Sequence, residues 1–317
     1  METRRPVVLH VADRAEALGY DAFFVAEGWG HDAGVLLAEV AARTRRITLG
    51  TGILNVWGRT PATIAMLAAS LAEASADRFV LGLGAGSPPL AEGLHDIEFT
   101  KPVERLGAVA RQVRRLLDGQ RLEPTVDRDN RPLRLALTPQ RPIPIHLAAL
   151  GPQSVRLAGE LADGWAPFLL PLSGLEPSLQ LLRDGAARGE PHRTLPLIAP
   201  CVPAAVSNDP AKALGMASWW VSFYLMSMGP LYRQTLHRLG HGPAVEEILA
   251  ANPTRRTFDV PDAARVLFDE LTLWGDAERA REALDGWYAA GAQMPTLVLP
   301  PGRPIEELDH MLDAMCH

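Results

Sequence analysis

Three runs of small residues stand where short apolar stretches end: Gly50-Thr51-Gly52-Ile53-Leu54-Asn55, Gly82-Leu83-Gly84-Ala85-Gly86-Ser87 and Ala148-Ala149-Leu150-Gly151-Pro152. Glycine at such a place lets a flat or anionic ligand approach the backbone. The third run leads straight into a helix start, whose free N–H groups suit a phosphate. The Gly82–Gly86 spacing is G-x-G-x-G, with no helix start directly behind it and no acidic residue about twenty positions on, so it is not a dinucleotide fingerprint. Singly, each run is more often plain tight-turn chemistry. Three of them at strand ends point to a cradle for a cofactor.

Other side chains able to do chemistry are scattered. Glu27, at the end of an apolar run, could donate a proton or touch a cofactor, and reads equally as a rim carboxylate that is paired or hydrated. Trp29 and Trp57 would wall a substrate pocket or anchor loops. His31 reads as a surface histidine and His146, mid-strand, as a core or lumen one. His237 and His241 have the i, i+4 spacing of a zinc pair but no third ligand, so no metal is expected. Arg59 reads as solvated or paired at a helix end, and Asp163-Gly164 as a turn. The cluster Trp219, Trp220, Phe223 and Tyr224 reads as core or dimer packing. No Ser-His-Asp order stands out. Cys201 and Cys316, the only cysteines, lie far apart, which fits a reduced, cytoplasmic protein.

The elements that must position these groups alternate. Helical stripes are read from Val8 to Leu18, Val35 to Ala42, Ile64 to Ser75 behind the cap Thr60-Pro61, Val103 to Leu117, Val155 to Leu161, Ala280 to Tyr288 and Ile305 to Met315. Asp209-Pro210 is a further helix start. Between them lie seven apolar runs read as buried strands: 22–26, 47–54, 79–85, 143–149, 164–169, one within 195–206, and 295–299. Apolar strands alternating with amphipathic helices imply a parallel sheet covered by helices. Seven of them favour a closed barrel, with function at the strands' C-terminal ends. Residues 120–142 break the rhythm as a polar excursion with a hairpin, and 229–260 read as helical decoration.

Composition bounds the rest. The 317 residues carry 31 basic and 37 acidic groups, a net charge of −6, with 47% hydrophobic and 21% charged residues. This is globular, and the mixed charge gives no footprint for nucleic acid. Ala213 to Tyr232 carries no charge but holds three serines, two glycines and a proline. It reads as a buried or subunit-interface helix, hence a homodimer, and not as a membrane span. Thr3-Arg4-Arg5 does not open a signal peptide, because the apolar run behind it is broken at His10 and Asp13.

Thr51–Asn55, Arg59-Thr60-Pro61-Ala62, Ala76-Asp77-Arg78 running into Phe79–Ser87, Pro144–Pro152 and Leu157–Trp165 together resemble the luciferase-like flavin and deazaflavin oxidoreductases over nearly the whole chain. The strand-three segment, which carries Gly52-Ile53, with Met228–Tyr232 and Gly275-Asp276, looks most like the coenzyme F420 branch. The resemblance implies an α/β fold, a (β/α)8 TIM barrel of luciferase-like type in one domain over residues 1–317. The activity it implies is hydride transfer between coenzyme F420 and a small organic substrate. An FMN-dependent monooxygenase using oxygen is the alternative, and a non-catalytic barrel that binds a flavin or merely dimerises is the second. It further implies a bulge with a non-proline cis peptide at Gly52-Ile53 behind the ring system and a hydrogen bond from Asn55 to that ring. Gly84, Ala85 and Gly86 would line the cofactor, and Ala148, Ala149 and Gly151 would hold its phosphate end. Relatives begin with a strand. This chain reaches its first helix at once, so either a barrel without its first strand or a start upstream of Met1 is expected. Relatives also carry an acid followed by histidine where this chain has Glu27-Gly28, with His31 nearby.

Overall fold

A computed structural model describes residues 2–125, 129–189 and 194–316. The elements run α1 (Arg5–Leu18), β1 (Ala22–Ala26), α2 (Ala33–Arg43), β2 (Thr48–Asn55), α3 (Pro61–Ala74), β3 (Phe79–Gly84), α4 (Pro88–Ala91), α5 (Pro102–Leu117), β4 (Ile145–Ala148), α6 (Pro152–Leu161), β5 (Gly164–Trp165) and α7 (Leu175–Ala186). They continue with β6 (Leu197–Ile198), β7 (Cys201–Val206), α8 (Pro210–Ser227), α9 (Leu231–Arg238), α10 (Gly242–Ala251), α11 (Val266–Leu271), β8 (Leu273–Gly275), α12 (Ala277–Ala289), β9 (Thr296–Val298) and α13 (Ile305–Met315).

All strand pairings are parallel. β1 to β6 form one sheet in sequence order, and β7 joins β8 and β9 in a second. A bridge between Phe168 and Cys201 carries the first sheet on toward the second. The curl is that of a barrel wall with helices outside, as the unbroken apolar strands require. β3 is buried at every position, with Leu81 and Leu83 turned to the helices and Gly82 and Gly84 to the interior. Helix starts use the expected chemistry: Asp32, Thr60, Asp209 and Asp276 each accept backbone N–H groups of the turn they open.

The ring of strands is not closed. β1 pairs only with β2, and β9 only with β7; no strand precedes α1 among the described residues. Along this seam the outer helices meet directly. Val7 and Val11 of α1 pack on Leu308 and Leu312 of α13, with Phe23 and Leu299 beneath. His10 pairs with Asp309 at 2.8 Å, and the Tyr20 hydroxyl donates to the Leu312 carbonyl at 2.8 Å. Arg14 and Asp313 add an ion pair.

Two expectations change. The hairpin in 120–142 is not a strand pair: the described part holds one cross-link, Leu122 N to the Leu133 carbonyl at 2.9 Å, and residues 126–128 of that expectation lie outside the described residues. Too few apolar residues face one another there to hold a ladder. The three-residue β8 was not foreseen, being too short to show a period. Within 229–260, read as helical decoration, α9 and α10 are the helices and 252–260 are irregular. No described helix is long and apolar enough to cross a membrane.

Candidate functional site

β2 is the strand that shapes the site. Its pairing with β1 slips after Val25, so that Thr51 faces Val25 and Ile53 faces Ala26. Its pairing with β3 is lost between Gly50 and Leu54. Residue Gly52 is the surplus one, which makes this a bulge. Every peptide bond among the described residues is trans, so the cis bond expected at Gly52-Ile53 is absent and the bulge alone makes the turn. The withdrawn backbone leaves Gly82 without its ladder partner. The Thr51 hydroxyl replaces it, accepting from Gly82 N at 2.8 Å and donating to the Gly82 carbonyl at 2.9 Å. Glycines allow the approach. A Cβ on Gly82 would lie 2.2 Å from the Thr51 carbonyl oxygen, and one on Gly52 2.7 Å from the Ala26 Cα. The Ile53 side chain lies over Gly84, and Gly86 turns with φ +64°.

Asn55, fully buried, organises the loop beyond the bulge. Its side-chain oxygen accepts from Trp57 N at 3.0 Å and Gly58 N at 2.9 Å, and its amide nitrogen meets His95 Nε2 at 3.2 Å. With its oxygen engaged, the amide edge shared with His95 is what Asn55 can offer a ligand. Trp57 is 3% exposed. Its indole N–H donates to the Ala85 carbonyl at 2.6 Å, Phe99 lies 5.2 Å away, and the Arg105 guanidinium sits 4.4 Å over the ring. The structure therefore makes Trp57 a loop anchor, not a pocket wall. Trp29, 58% exposed, stands free on the loop after β1.

Glu27 is paired, one of the two readings open for it. Arg59 donates to both of its carboxylate oxygens and to Asp32, and Ala33 N donates to Glu27 at 3.0 Å. The guanidinium's own pKa is raised, first by the bond to Glu27. A carboxylate so held is a strut between the β1–α2 and β2–α3 loops. His31 points away to the Thr3 carbonyl at 2.9 Å and does not join it.

The β4–α6 loop is held from behind. Trp165 Nε1 donates to the Ala149 carbonyl at 2.9 Å, and Arg238 from α9 to the Leu150 carbonyl at 2.8 Å. Gly151 caps α6 with no side-chain bond to its amides. Behind Pro152, the Gln153 and Ser154 N–H groups are the orphan donors of a helix start. Ala148 and Gly151 are half-buried beside them. On the interior face below, the His146 ring covers Gly164, where a Cβ would lie 2.3 Å from it, and approaches Phe24 at 6.4 Å. Burial pushes its pKa down to about 4 against a smaller opposing effect of Asp163, so it is neutral at pH 7. It is a lumen histidine, as read.

The structure thus brings Gly52, Ile53, Asn55, Gly84, Ala85 and Gly86 to one stretch of the C-terminal rim, with Ala148 beside Gly84 and the loop to Gly151 next along. Beside them Trp57 is tied to the Ala85 carbonyl and Glu27 to Arg59, while Trp29 stands exposed on the loop after β1. Sequence reasoning missed the bond of Thr51, although the residue sits inside the first glycine run. It also missed Arg238, a single arginine on a helix with no local signal. His237 pairs with Glu246 at 3.0 Å and His241 with the Ser173 hydroxyl at 3.1 Å; no metal-holding cluster occurs among the described residues.

The sequence signature of the luciferase-like monooxygenase family matches residues 5–294. A Mycobacterium tuberculosis protein named "Putative coenzyme F420-dependent oxidoreductase Rv3520c" is 30% identical over 93% of this chain and 91% of its own. An F420-dependent glucose-6-phosphate dehydrogenase of Nakamurella multipartita is 34% identical over 56% of this chain and 57% of its own. Among solved structures, an F420-dependent secondary alcohol dehydrogenase in complex with an F420-acetone adduct superposes with a TM-score of 0.79, at 18% identity, over 99% of both chains.

Proposed function

Because the chain belongs to the luciferase-like monooxygenase family, we propose that it is an oxidoreductase exchanging a hydride between coenzyme F420 and a small organic substrate. The observation that carries this reading is the 30% identity, over 93% of the chain, to a relative named for that coenzyme. The rim supports it. Gly52 lets the bulge close onto Ala26, and Gly84 lets Ile53 and Ala148 close over β3, so small residues gather side by side at the strand ends.

In this reading Gly52, Ile53, Gly84, Ala85 and Gly86 lie along the ring system. The Asn55 amide reaches its polar edge. Ala148, Ala149 and Gly151 admit the phosphate to the Gln153 and Ser154 N–H groups, where the helix N-terminus favours negative charge. The bound coenzyme supplies or takes the electron pair and its hydrogen. The chain's own work is placement and exclusion of water. Thr51 and Gly82 hold the bulge. Trp165 and Arg238 hold the phosphate loop. The Glu27–Arg59–Asp32 strut fixes the spacing of two rim loops. A homodimer built on the uncharged 213–232 stretch and a cytoplasmic setting belong to the same proposal.

The test is a pair of titrations of purified protein, one with F420 and one with FMN. Saturable F420 binding with weaker FMN binding is expected. Preferential FMN binding with substrate-dependent oxygen uptake overturns the deazaflavin reading in favour of a monooxygenase. Binding of neither by folded protein overturns both and leaves a non-catalytic barrel.

A further inference from the structure

α8 and α9 carry a group of aromatic side chains for which the redox reading above has no use. Phe168, three residues past β5, bridges to Cys201 and so continues the barrel wall. Counted by twos from Gly164, whose missing side chain makes room for the lumen histidine, Phe168 falls on the interior face. Tyr224 meets it edge-on at 4.8 Å, Trp220 at 6.0 Å and Tyr232 at 6.2 Å; Tyr224 and Tyr232 meet each other at 5.3 Å. The Cys201 thiol stands close enough to Tyr232 to influence its ionisation.

This wall and the glycine rim share one mouth. The turn between α8 and α9 crosses to the far side, where a Cβ on Gly229 would lie 3.4 Å from Pro88 at the exit of β3. From Ala213 to Tyr232 the chain holds no ionisable acid or base other than the two tyrosines. At the end of α9, Arg238 is committed to the Leu150 carbonyl.

The polar atoms of the wall are unspent. The Trp220 indole N–H, on a residue 3% exposed, has no hydrogen-bond partner. The Thr235 hydroxyl, one turn beyond Tyr232, has none either. Neither tyrosine hydroxyl bonds to a described residue. Burial pushes the Tyr224 hydroxyl up to about 12 and raises that of Tyr232 further, so both carry their protons at neutral pH and act as donors. Buried donors are nearly always paired, so the bare Trp220 N–H and Thr235 hydroxyl mark a missing acceptor, and the half-buried tyrosine hydroxyls beside them are open to one as well.

We propose that Phe168, Trp220, Tyr224 and Tyr232 form the substrate-recognition wall, and that it selects uncharged, ring-bearing organic molecules with a hydrogen-bond-accepting oxygen over phosphorylated or carboxylated ones. The inference rests on the proposed redox reading only in placing the reaction at this mouth. An apolar ring gains offset or edge-on contacts with the four aromatics, and its oxygen takes a donor the wall already presents. The four aromatic side chains themselves offer a phosphate no cation, and an unpaired charge against them is strongly disfavoured.

The experiment follows 4'-fluoroacetophenone by fluorine NMR and glucose 6-phosphate by saturation-transfer NMR, on wild-type protein and on Tyr232→Phe and Tyr224→Phe variants, with and without F420. Saturable ketone binding, absent for the sugar phosphate and weakened about 3- to 10-fold by at least one Tyr→Phe change, is expected, a loss typical of one hydrogen bond. The coenzyme dissociation constant is expected to stay within about twofold in both variants. Tighter binding of glucose 6-phosphate, or ketone binding untouched by both variants, overturns the wall. Coenzyme binding without any ketone binding also overturns it and leaves the redox reading standing. Ketone binding of the expected kind without coenzyme binding upholds the wall and overturns the redox reading.

Discussion

Replacing Thr51 by Val isolates the hydroxyl that holds the bulge. The two side chains have nearly the same shape, and the site is 1% exposed, so water cannot stand in. The change removes both bonds to Gly82, the one its N–H donates at 2.8 Å and the one its carbonyl accepts at 2.9 Å. Each buried group left unpaired costs about 1–3 kcal/mol, giving about 2–5 kcal/mol for the pair. Against a total stability of about 5–15 kcal/mol this is a large loss. Unfolding entropy near 2 cal/mol/K per residue turns a loss of about 3 kcal/mol into roughly 5 °C of melting temperature for a chain of this length. Thr51→Ser keeps the hydroxyl and gives up only a methyl group, about 1 kcal/mol. Differential scanning calorimetry on the three proteins is the assay, with an F420 titration on each. Valine should melt several degrees below serine and bind F420 at least tenfold more weakly. If valine melts with or above serine, the hydroxyl does not carry the bulge and the account of this strand is wrong.

Other outcomes follow from the same geometry. Gly164→Ala forces a Cβ to 2.3 Å from the His146 ring and should destabilise by about 1–3 kcal/mol in urea unfolding, with partial recovery when His146→Ala is added. His146 is protonated in the unfolded chain below about pH 6.5 but in the native state only below about 4. Its contribution is therefore complete above pH 6.5 and is lost as pH falls toward 4, by up to about 3 kcal/mol; a His146→Gln variant should show a flatter stability–pH profile over that window. Arg59→Met leaves the half-buried Glu27 carboxylate unpaired and should cost about 1–3 kcal/mol by chemical denaturation, more than the double change with Glu27→Gln, which removes the stranded charge.

Much of the fold was legible because parallel strands buried on both faces announce themselves as unbroken apolar runs, and β1 to β4 lie within a residue or two of where those runs placed them. What escaped were features set by distant partners. Nothing near Glu27 says that Arg59, thirty-two residues on, will take both of its oxygens. Trp57 resembles Trp29 in sequence, and only the positions of Ala85, Phe99 and Arg105 send one under the loop and leave the other in solvent. The bulge was expected from the family resemblance, but not how its backbone turns, since a trans peptide with a threonine bridge and a cis peptide leave the same residues in the sequence. Tyr224 and Trp220 looked like packing, and they do pack; their spare hydrogen-bonding capacity shows only when every neighbour has been counted.

The unclosed seam between β1 and β9 makes the barrel a split ring. Within each sheet, parting two paired strands breaks backbone hydrogen bonds, whereas here the halves are held by a few aliphatic side chains, one tyrosine hydroxyl and exposed ion pairs. The ring should therefore gape first along this line, with amides of β1 and β9 exchanging faster than those of β3 and doing so more readily at high salt, where exposed charge pairs are screened. Stiffness then falls unevenly round the circle, greatest at β3, beside the glycine rim, and least on the side that opens to water.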